Sequence, residues 1–280
     1  MSSVEPDDRG EKALLKREGL DSLHGVFAYA GGELLSKPNL RARQRLRLRL
    51  VDESGRPVVW YLKRYGPEPW PVRLWGWLAG RERHSAARTE SENIRRLESA
   101  GVATMRMIAM GEEPDLLGVR RSYIVLSAVP GGALERSFTD FLDRAVSHEE
   151  AVARFNSALV DLVRKLHSAG YVHRDLYASH IFLDESPDGP ELYLIDLARM
   201  FAPRWRRYRW RVKDLSELKY SMPAAWVEEH WEGFLTGYLG GRGAMSRWAA
   251  SIDRKVAAIR RRERRKQGAR RTGREEGAAN

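Results

Sequence analysis

Residues 171–200 read YVHRDLYASHIFLDESPDGPELYLIDLARM, and this stretch organises the chain around it. Two short apolar runs, Ile181-Phe182-Leu183 and Leu192 to Ile195, flank a Pro/Gly-rich turn at Ser186 to Pro190, the pattern of a β-hairpin. Asp175 precedes the first run within His-Arg-Asp, and Asp196 closes the second within Ile-Asp-Leu. The two lie 21 residues apart, so the hairpin is expected to bring both carboxylates to one mouth. A pair so placed suits phosphoryl transfer: one carboxylate accepts the proton of an attacking hydroxyl, the other holds the Mg²⁺ that neutralises phosphate charge.

Composition sets the frame. The 280 residues with 42% apolar content can bury a core of one two-lobed unit or two small domains. No run reaches the roughly 18 apolar residues of a membrane span. Cysteine is absent, which excludes disulfides and thiolate chemistry and fits a reducing interior. The start, MSSVEPDDRG, lacks an apolar segment of the secretory kind, and a cytoplasmic protein is expected. The net charge of +11 is unevenly spread: residues 254–280 carry eleven Lys/Arg against three Glu, so +8 sits in the tail. A basic tail of this kind reads as a solvated or anionic-surface-seeking segment, and no specific nucleic-acid partner is expected.

Outward from the centre, residues 1–19 read as a polar, disordered N-terminus with at most a short helix at Lys12 to Arg17. Strands are expected at Val26 to Tyr29, Arg43 to Val51 and Val58 to Tyr65, with Asp52-Glu53-Ser54-Gly55 as the turn joining the last two. In the middle strand Leu46, Leu48 and Leu50 alternate with Arg45, Arg47 and Arg49. One face is therefore core and the other basic, either a solvated sheet face or a contact for an anionic substrate. Lys63 stands inside the apolar third strand. A helix over Ala86 to Ala100 follows, where Glu90 shares the apolar stripe with Ala86, Ile94 and Leu97 while Glu92 faces away. A carboxylate on a buried stripe requires a cation, so Glu90 is expected to partner Lys63.

Between them, Trp70, Trp75 and Trp77 lie among prolines and arginines, suited to core packing or to a membrane interface. Val102 to Gly111 and Arg121 to Leu126 complete the strands. Ser127 to Gly132 is a connector whose backbone, at Ser127 and Val129, could present itself to a purine edge. Ser147-His148-Glu149-Glu150 forms a capping box. After it Val152, Phe155, Leu159, Leu162 and Leu166 mark a long helix ending at Gly170 and leading straight into His173-Arg174-Asp175.

Taken together, VVWYLKRY, RTESENIRRLESAGVATMRMIAMGE, YVHRDLYASHIFLD, LYLIDLARM and RWRVKDLSELKYS resemble, in order and spacing, the kinase-like superfamily. The resemblance is closest to the lipopolysaccharide core kinases that act on heptose or Kdo. It implies an α+β fold: a small antiparallel β-sheet lobe with one helix over residues 20–128, and a larger mainly helical catalytic lobe over 129–245. A basic C-terminal helix with a disordered tail would fill 246–280. It further implies ATP and Mg²⁺ as cofactors, with Lys63 orienting the phosphates, Glu90 holding Lys63, Asp175 as base and Asp196 on the metal. Asp214 would buttress the catalytic loop from a helix. His180 stands where protein kinases carry a metal-binding Asn, and it is expected to reach the metal through water or to touch a phosphate oxygen.

No G-x-G-x-x-G loop joins the first two strands. Gly31 and Gly32, near Lys37, are the substitutes, either as phosphate-covering amides or as an ordinary turn. Only 18 residues separate Asp196 from Asp214, too few for a long regulatory segment. Phe201 to Arg211 mixes arginines with Trp205, Tyr208 and Trp210, suited to an anionic sugar or to a solvated helix start. The expected partner is a lipid-linked core oligosaccharide at the cytoplasmic face of the inner membrane, with a peripheral hold on anionic lipid. The alternatives are a protein Ser/Thr/Tyr kinase of the same fold and a non-catalytic scaffold.

Overall fold

A computed structural model describes residues 9–35, 43–67, 85–115, 118–144, 147–186 and 189–278, with the side chains of residue 266 and of those past 267 left out. The tryptophan-rich stretch around Trp70, Trp75 and Trp77, and Lys37, fall outside these residues. The chain divides into two compact units, Met1–Pro130 with Ile195–Ala198, and Gly131–Leu194 with Arg199–Asn280.

The first unit begins with two helices, α1 (Arg9–Arg17) and α2 (Leu23–Ala28). Helix α1 extends the short helix expected at Lys12 to Arg17 back to Arg9, and α2 replaces an expected strand. The polar start is ordered over residues 9–17 because Leu14 and Leu15, on one face of α1, join Leu20 and Val26 in the core beneath the sheet. The apolar run at Val26 is helical, not extended: Ser22 accepts the Gly25 N–H at 3.0 Å and starts a turn with Val26 buried. Then come β1 (Glu33–Leu34), β2 (Arg43–Val51) and β3 (Pro57–Tyr65), helix α3 (Ala86–Ser99), β4 (Met107–Asp115) and β5 (Gly118–Ser127). The sheet is antiparallel in the order β1-β2-β3-β5-β4.

Leu46, Leu48, Leu50, Trp60 and Leu62 pack with Ile108, Tyr123 and Val125 on one face. Burying each such side chain stabilises the unit by roughly 1.5–3 kcal/mol. The turn between β2 and β3 is fixed by Asp52, whose carboxylate accepts the Ser54 hydroxyl at 2.6 Å and the Ser54 and Arg56 amides at 2.9 Å. These bonds, the hydroxyl's foremost, hold the Asp52 carboxyl down at about 2. The strand after α3 starts later than its apolar run because Gly101, at φ 66°, turns the chain and Val102 still donates to the Leu97 carbonyl at 2.9 Å.

The second unit opens at Gly131, held at φ 72°, where a Cβ would meet the Leu183 carbonyl oxygen at 2.0 Å. It contains β6 (Gly132–Ala133), α4 (Leu134–Arg144), α5 (His148–Ser168), the hairpin β7 (Ile181–Ser186) and β8 (Gly189–Leu194), then α6 (Arg207–Ser221), α7 (Ala224–Leu239) and α8 (Met245–Ala278). Ser147 caps α5, accepting the Glu150 N–H at 3.4 Å, and Val152, Phe155, Leu159, Leu162 and Leu166 are its buried stripe. The hairpin pairs Ile181 with Leu194 and Ser186 with Gly189. Helix α8 runs on to Ala278 where a disordered tail is expected from charge. Arg, Ala, Lys and Glu are all good helix formers, and the 34 residues of α8 extend about 51 Å.

Candidate active site

In the first unit β3 presents Lys63 on the face opposite the leucine core, and α3 presents Glu90 toward it. Lys63 Nζ donates to Glu90 Oε1 at 2.6 Å and to Asp196 Oδ1 at 3.1 Å. Glu90 is fully buried and Lys63 is 8% exposed. Glu92, on the other side of α3, instead meets Arg96 at 3.4 Å. The second oxygen of Glu90 accepts the Tyr65 hydroxyl at 3.3 Å. Burial first and the Glu90 charge second push that phenol far above its ordinary value, so Tyr65 remains a neutral donor.

Asp196 sits at φ 60°, a left-handed backbone uncommon outside glycine. Asn93, buried on α3, bonds the Leu197 carbonyl at 2.8 Å and so ties the Ile195–Ala198 segment to the helix that carries Glu90. Arg45 completes the group, its Nη2 lying 3.4 and 3.2 Å from the two oxygens of Asp196. Asn93 did not stand out as a site residue in the sequence, whereas Arg45 lies on the basic face read there as either solvated or a contact for an anionic substrate.

The second unit builds its own centre around Asp175. The loop preceding it is anchored by Asp214 of α6, which accepts the backbone N–H groups of His173 at 2.7 Å and Arg174 at 2.8 Å and lies 3.3 Å from His167 Nε2. Arg174 takes φ 73°, and its guanidinium lies over the rings of Phe201 and Trp210 at 5.4 and 5.5 Å. Lys213 donates to the Arg174 carbonyl and to Glu217. With the loop so held, Asp175 receives Arg199 Nη1 on both carboxylate oxygens at 2.8 Å. Arg199 has no signal in the sequence beyond its nearness to Asp196.

His180 is placed by its Nδ1, 2.7 Å from the Asp175 carbonyl oxygen. That nitrogen therefore donates, since a carbonyl oxygen can only accept. Ser127 is committed elsewhere: its N–H donates to the Arg106 carbonyl at 2.9 Å and its hydroxyl accepts the Arg106 N–H at 3.0 Å. A role for the Ser127 amide at a purine edge is thereby excluded, while Val129 lies half-buried beyond it. Gly31 and Gly32 have packing reasons for lacking a side chain, since added Cβ atoms would meet the Tyr29 hydroxyl at 2.7 Å and the Leu48 side chain at 2.6 Å.

Among the described residues, no group of three or more His, Asp and Glu gathers to hold a metal. Mg²⁺ needs no such cage: it keeps several waters and takes one or two hard carboxylates plus substrate phosphates. The Asp196 carboxylate, beside the Lys63 ammonium, fits that requirement; the His180 imidazole does not.

A unit with a five-stranded antiparallel sheet and a strand lysine on a helix glutamate, and a second, mainly helical unit with a buttressed His-Arg-Asp loop, define an α+β fold of the kinase-like type. Residues 78–238, more than half of the sequence, match the model of the lipopolysaccharide kinase (Kdo/WaaP) family. The chain belongs to that family. It is 37% identical over 144 residues to the lipopolysaccharide core heptose(I) kinase WaaP of Pseudomonas aeruginosa, covering 48% of this chain and 52% of the relative. Against the WaaP of Escherichia coli K12 the identity is 36% over 135 residues, 46% and 50% of the two chains. The chain thus spans about half the length of the curated relatives it matches. A solved structure of WaaP in complex with acyl carrier protein is similar with a TM-score of 0.65 at 26% identity, over 92% of this chain and 99% of that one.

Proposed function

We propose that the chain is an ATP-dependent kinase that phosphorylates a sugar hydroxyl of lipopolysaccharide core, on heptose or Kdo. The observation that carries this reading is Lys63 held at 2.6 Å by a fully buried glutamate and at 3.1 Å by Asp196. A buried lysine between two carboxylates costs desolvation that a purely structural site could avoid with apolar residues. Family membership supplies the substrate class.

In this reading the first unit handles phosphate and the second handles the acceptor. Lys63, kept in place by Glu90, would donate to the phosphates of ATP, and the connector at Val129 would offer its backbone to the purine edge. Asp196 would hold Mg²⁺, which would supply charge neutralisation at the phosphates. Asp175 takes the proton of the sugar hydroxyl as its oxygen attacks the γ-phosphorus; the bond to the β-phosphate oxygen breaks and ADP leaves. Asp214 holds the loop that aims Asp175, and Arg199 fixes the rotamer of its carboxylate. Arg204, Trp205, Arg206 and Arg209, all exposed, suit an anionic sugar by charge and stacking. Tyr208 and Arg211 serve structure instead, bonding Ser251 at 2.9 Å and the His167 carbonyl at 2.6 Å.

No helix among the described residues is long and apolar enough to cross a membrane. The proposal therefore places the enzyme on the cytoplasmic face of the inner membrane through the basic helix α8, each cation near an anionic leaflet contributing about 1 kcal/mol. Acyl carrier protein joins the proposed partners because the solved WaaP neighbour was determined in complex with it.

Mass spectrometry of core oligosaccharide from cells with and without this protein tests the reading, the expected difference being the mass of one phosphate. Labelled ATP supplied with and without lipopolysaccharide acceptor separates the protein-kinase alternative. Label moving only to protein would overturn the sugar acceptor.

A further inference from the structure

The sheet face that carries Lys63 also carries a row of arginines, and one of them is built into the lysine's site. In the β2–β3 register Arg45 stands opposite Lys63, Arg47 opposite Tyr61 and Arg43 opposite Tyr65. Directly opposed residues of an antiparallel pair share a face, with Cβ atoms about 5 Å apart. Glu33 meets Arg47 at 3.3 Å and Arg49 at 3.8 Å. The rings of Tyr61 and Tyr65 lie under Arg47 and Arg43 at 5.8 and 6.0 Å. Arg45 alone of the four sends its guanidinium to Asp196 among these contacts.

Resting on the kinase reading above, we infer that Arg45 is a second cation for the ATP phosphates, working beside Lys63 in place of the amide donors of a glycine-rich loop. Three observations carry it. The sequence between β1 and β2 has no G-x-G-x-x-G, and Gly31 and Gly32 are glycines for close packing against Tyr29 and Leu48. Two cations converge on one carboxylate here, Lys63 Nζ at 3.1 Å and Arg45 Nη2 at 3.2 Å from Asp196, so Arg45 is held beside the lysine that the kinase reading assigns to phosphate. Mobility is the third, since the Lys63 side chain is 10% exposed and pinned by Glu90 while that of Arg45 is 55% exposed. Only Arg45 of the two can turn its fork to a phosphate oxygen without leaving a buried carboxylate behind, and the planar guanidinium matches that partner in geometry.

Equilibrium binding of a non-hydrolysable MgATP analogue, of ADP and of adenosine, by calorimetry on the full chain, tests this. Arg45→Gln should weaken the triphosphate about ten- to a hundredfold, the loss of a charge-assisted contact. Adenosine should bind as in the wild type. Arg45→Lys, which keeps the charge and loses the fork, should weaken the triphosphate several-fold. Arg49→Gln, on the same face but paired with Glu33, should match the wild type. Unchanged triphosphate affinity in Arg45→Gln overturns the inference, as does an equal loss for adenosine or for Arg49→Gln. If Arg45→Gln does not fold by circular dichroism, Arg45→Lys decides, and wild-type affinity there overturns the inference. A wild-type chain that binds no triphosphate overturns the kinase reading and takes the inference with it.

Discussion

A lysine meets a buried glutamate in each unit, Lys213 on Glu217 in the second and Lys63 on Glu90 in the first, and the two pairs are put to different use. Lys213 and Glu217 are one turn apart on α6 and meet at 2.5 Å, a local contact that any helix can make. Lys63 and Glu90 come from a strand and a helix 27 residues apart and meet at 2.6 Å. The local pair spends its remaining donor on the Arg174 carbonyl, and so holds backbone. The distant pair reaches a second carboxylate, Asp196, that sits on a left-handed residue. A lysine that serves backbone stabilises a loop, whereas one that gathers carboxylates from separate elements is, in the proposed reading, a site for phosphate.

That contrast can be broken most directly at the lysines. Lys63→Met should lower phosphoryl transfer by about a thousandfold or more, because the donor to the transferring phosphate is gone. Lys213→Met should act chiefly on stability, since it leaves the buried Glu217 with the Tyr177 hydroxyl at 3.2 Å, a loss of about 1–3 kcal/mol in thermal or denaturant unfolding. If Lys213→Met abolished turnover at an unchanged Tm, the distinction would collapse. Asp175→Asn should lower kcat by about 10²–10⁴ with nucleotide affinity retained, as expected of a proton acceptor. Arg199→Gln should lower kcat by about tenfold with little effect on the KM for ATP; a change in the ATP KM alone would assign Arg199 to nucleotide binding instead.

The smallest effect sharpens the comparison through pH. Burial, the largest cause, raises the Glu217 carboxyl above its ordinary value despite Lys213. A carboxyl raised on folding favours the folded state when protonated, so stability is lost as pH rises from about 4.5 through the folded value. Glu217→Gln removes that loss. The Tm of this variant minus that of the wild type should therefore be more positive at pH 7 than at pH 4, and a flat difference would show that Glu217 is compensated after all.

Elements with strong periodicity were readable before any coordinates. The alternation in Arg43–Val51, the capping box and stripe of α5, and the hairpin flanking Ser186 to Pro190 all follow from side-chain spacing and turn residues. The choice of Glu90 over Glu92 needed only the helical angle. Short elements were harder: Leu23–Ala28 has one buried residue, too little pattern to separate a turn of helix from a strand. In α1 the two adjacent leucines are outnumbered by charges, and only the core above them reveals that they are buried.

Arg199 was invisible as a site residue for another reason, and Arg45 could be read only as one of three arginines on a basic sheet face, not as the one that reaches the site. Arg199 meets Asp175 across 24 residues and Arg45 meets Asp196 across 151. Arginine is common throughout this chain, so composition gave no reason to single them out.

The seating of Leu14, Leu15 and Leu20 beneath the sheet has a practical side. An amino-terminal boundary drawn at the first strand would strip three leucines from the floor of the first unit and leave a greasy hollow open to solvent. Recombinant versions that begin after Gly19 should accumulate as insoluble material, and those that begin ahead of Arg9 should not.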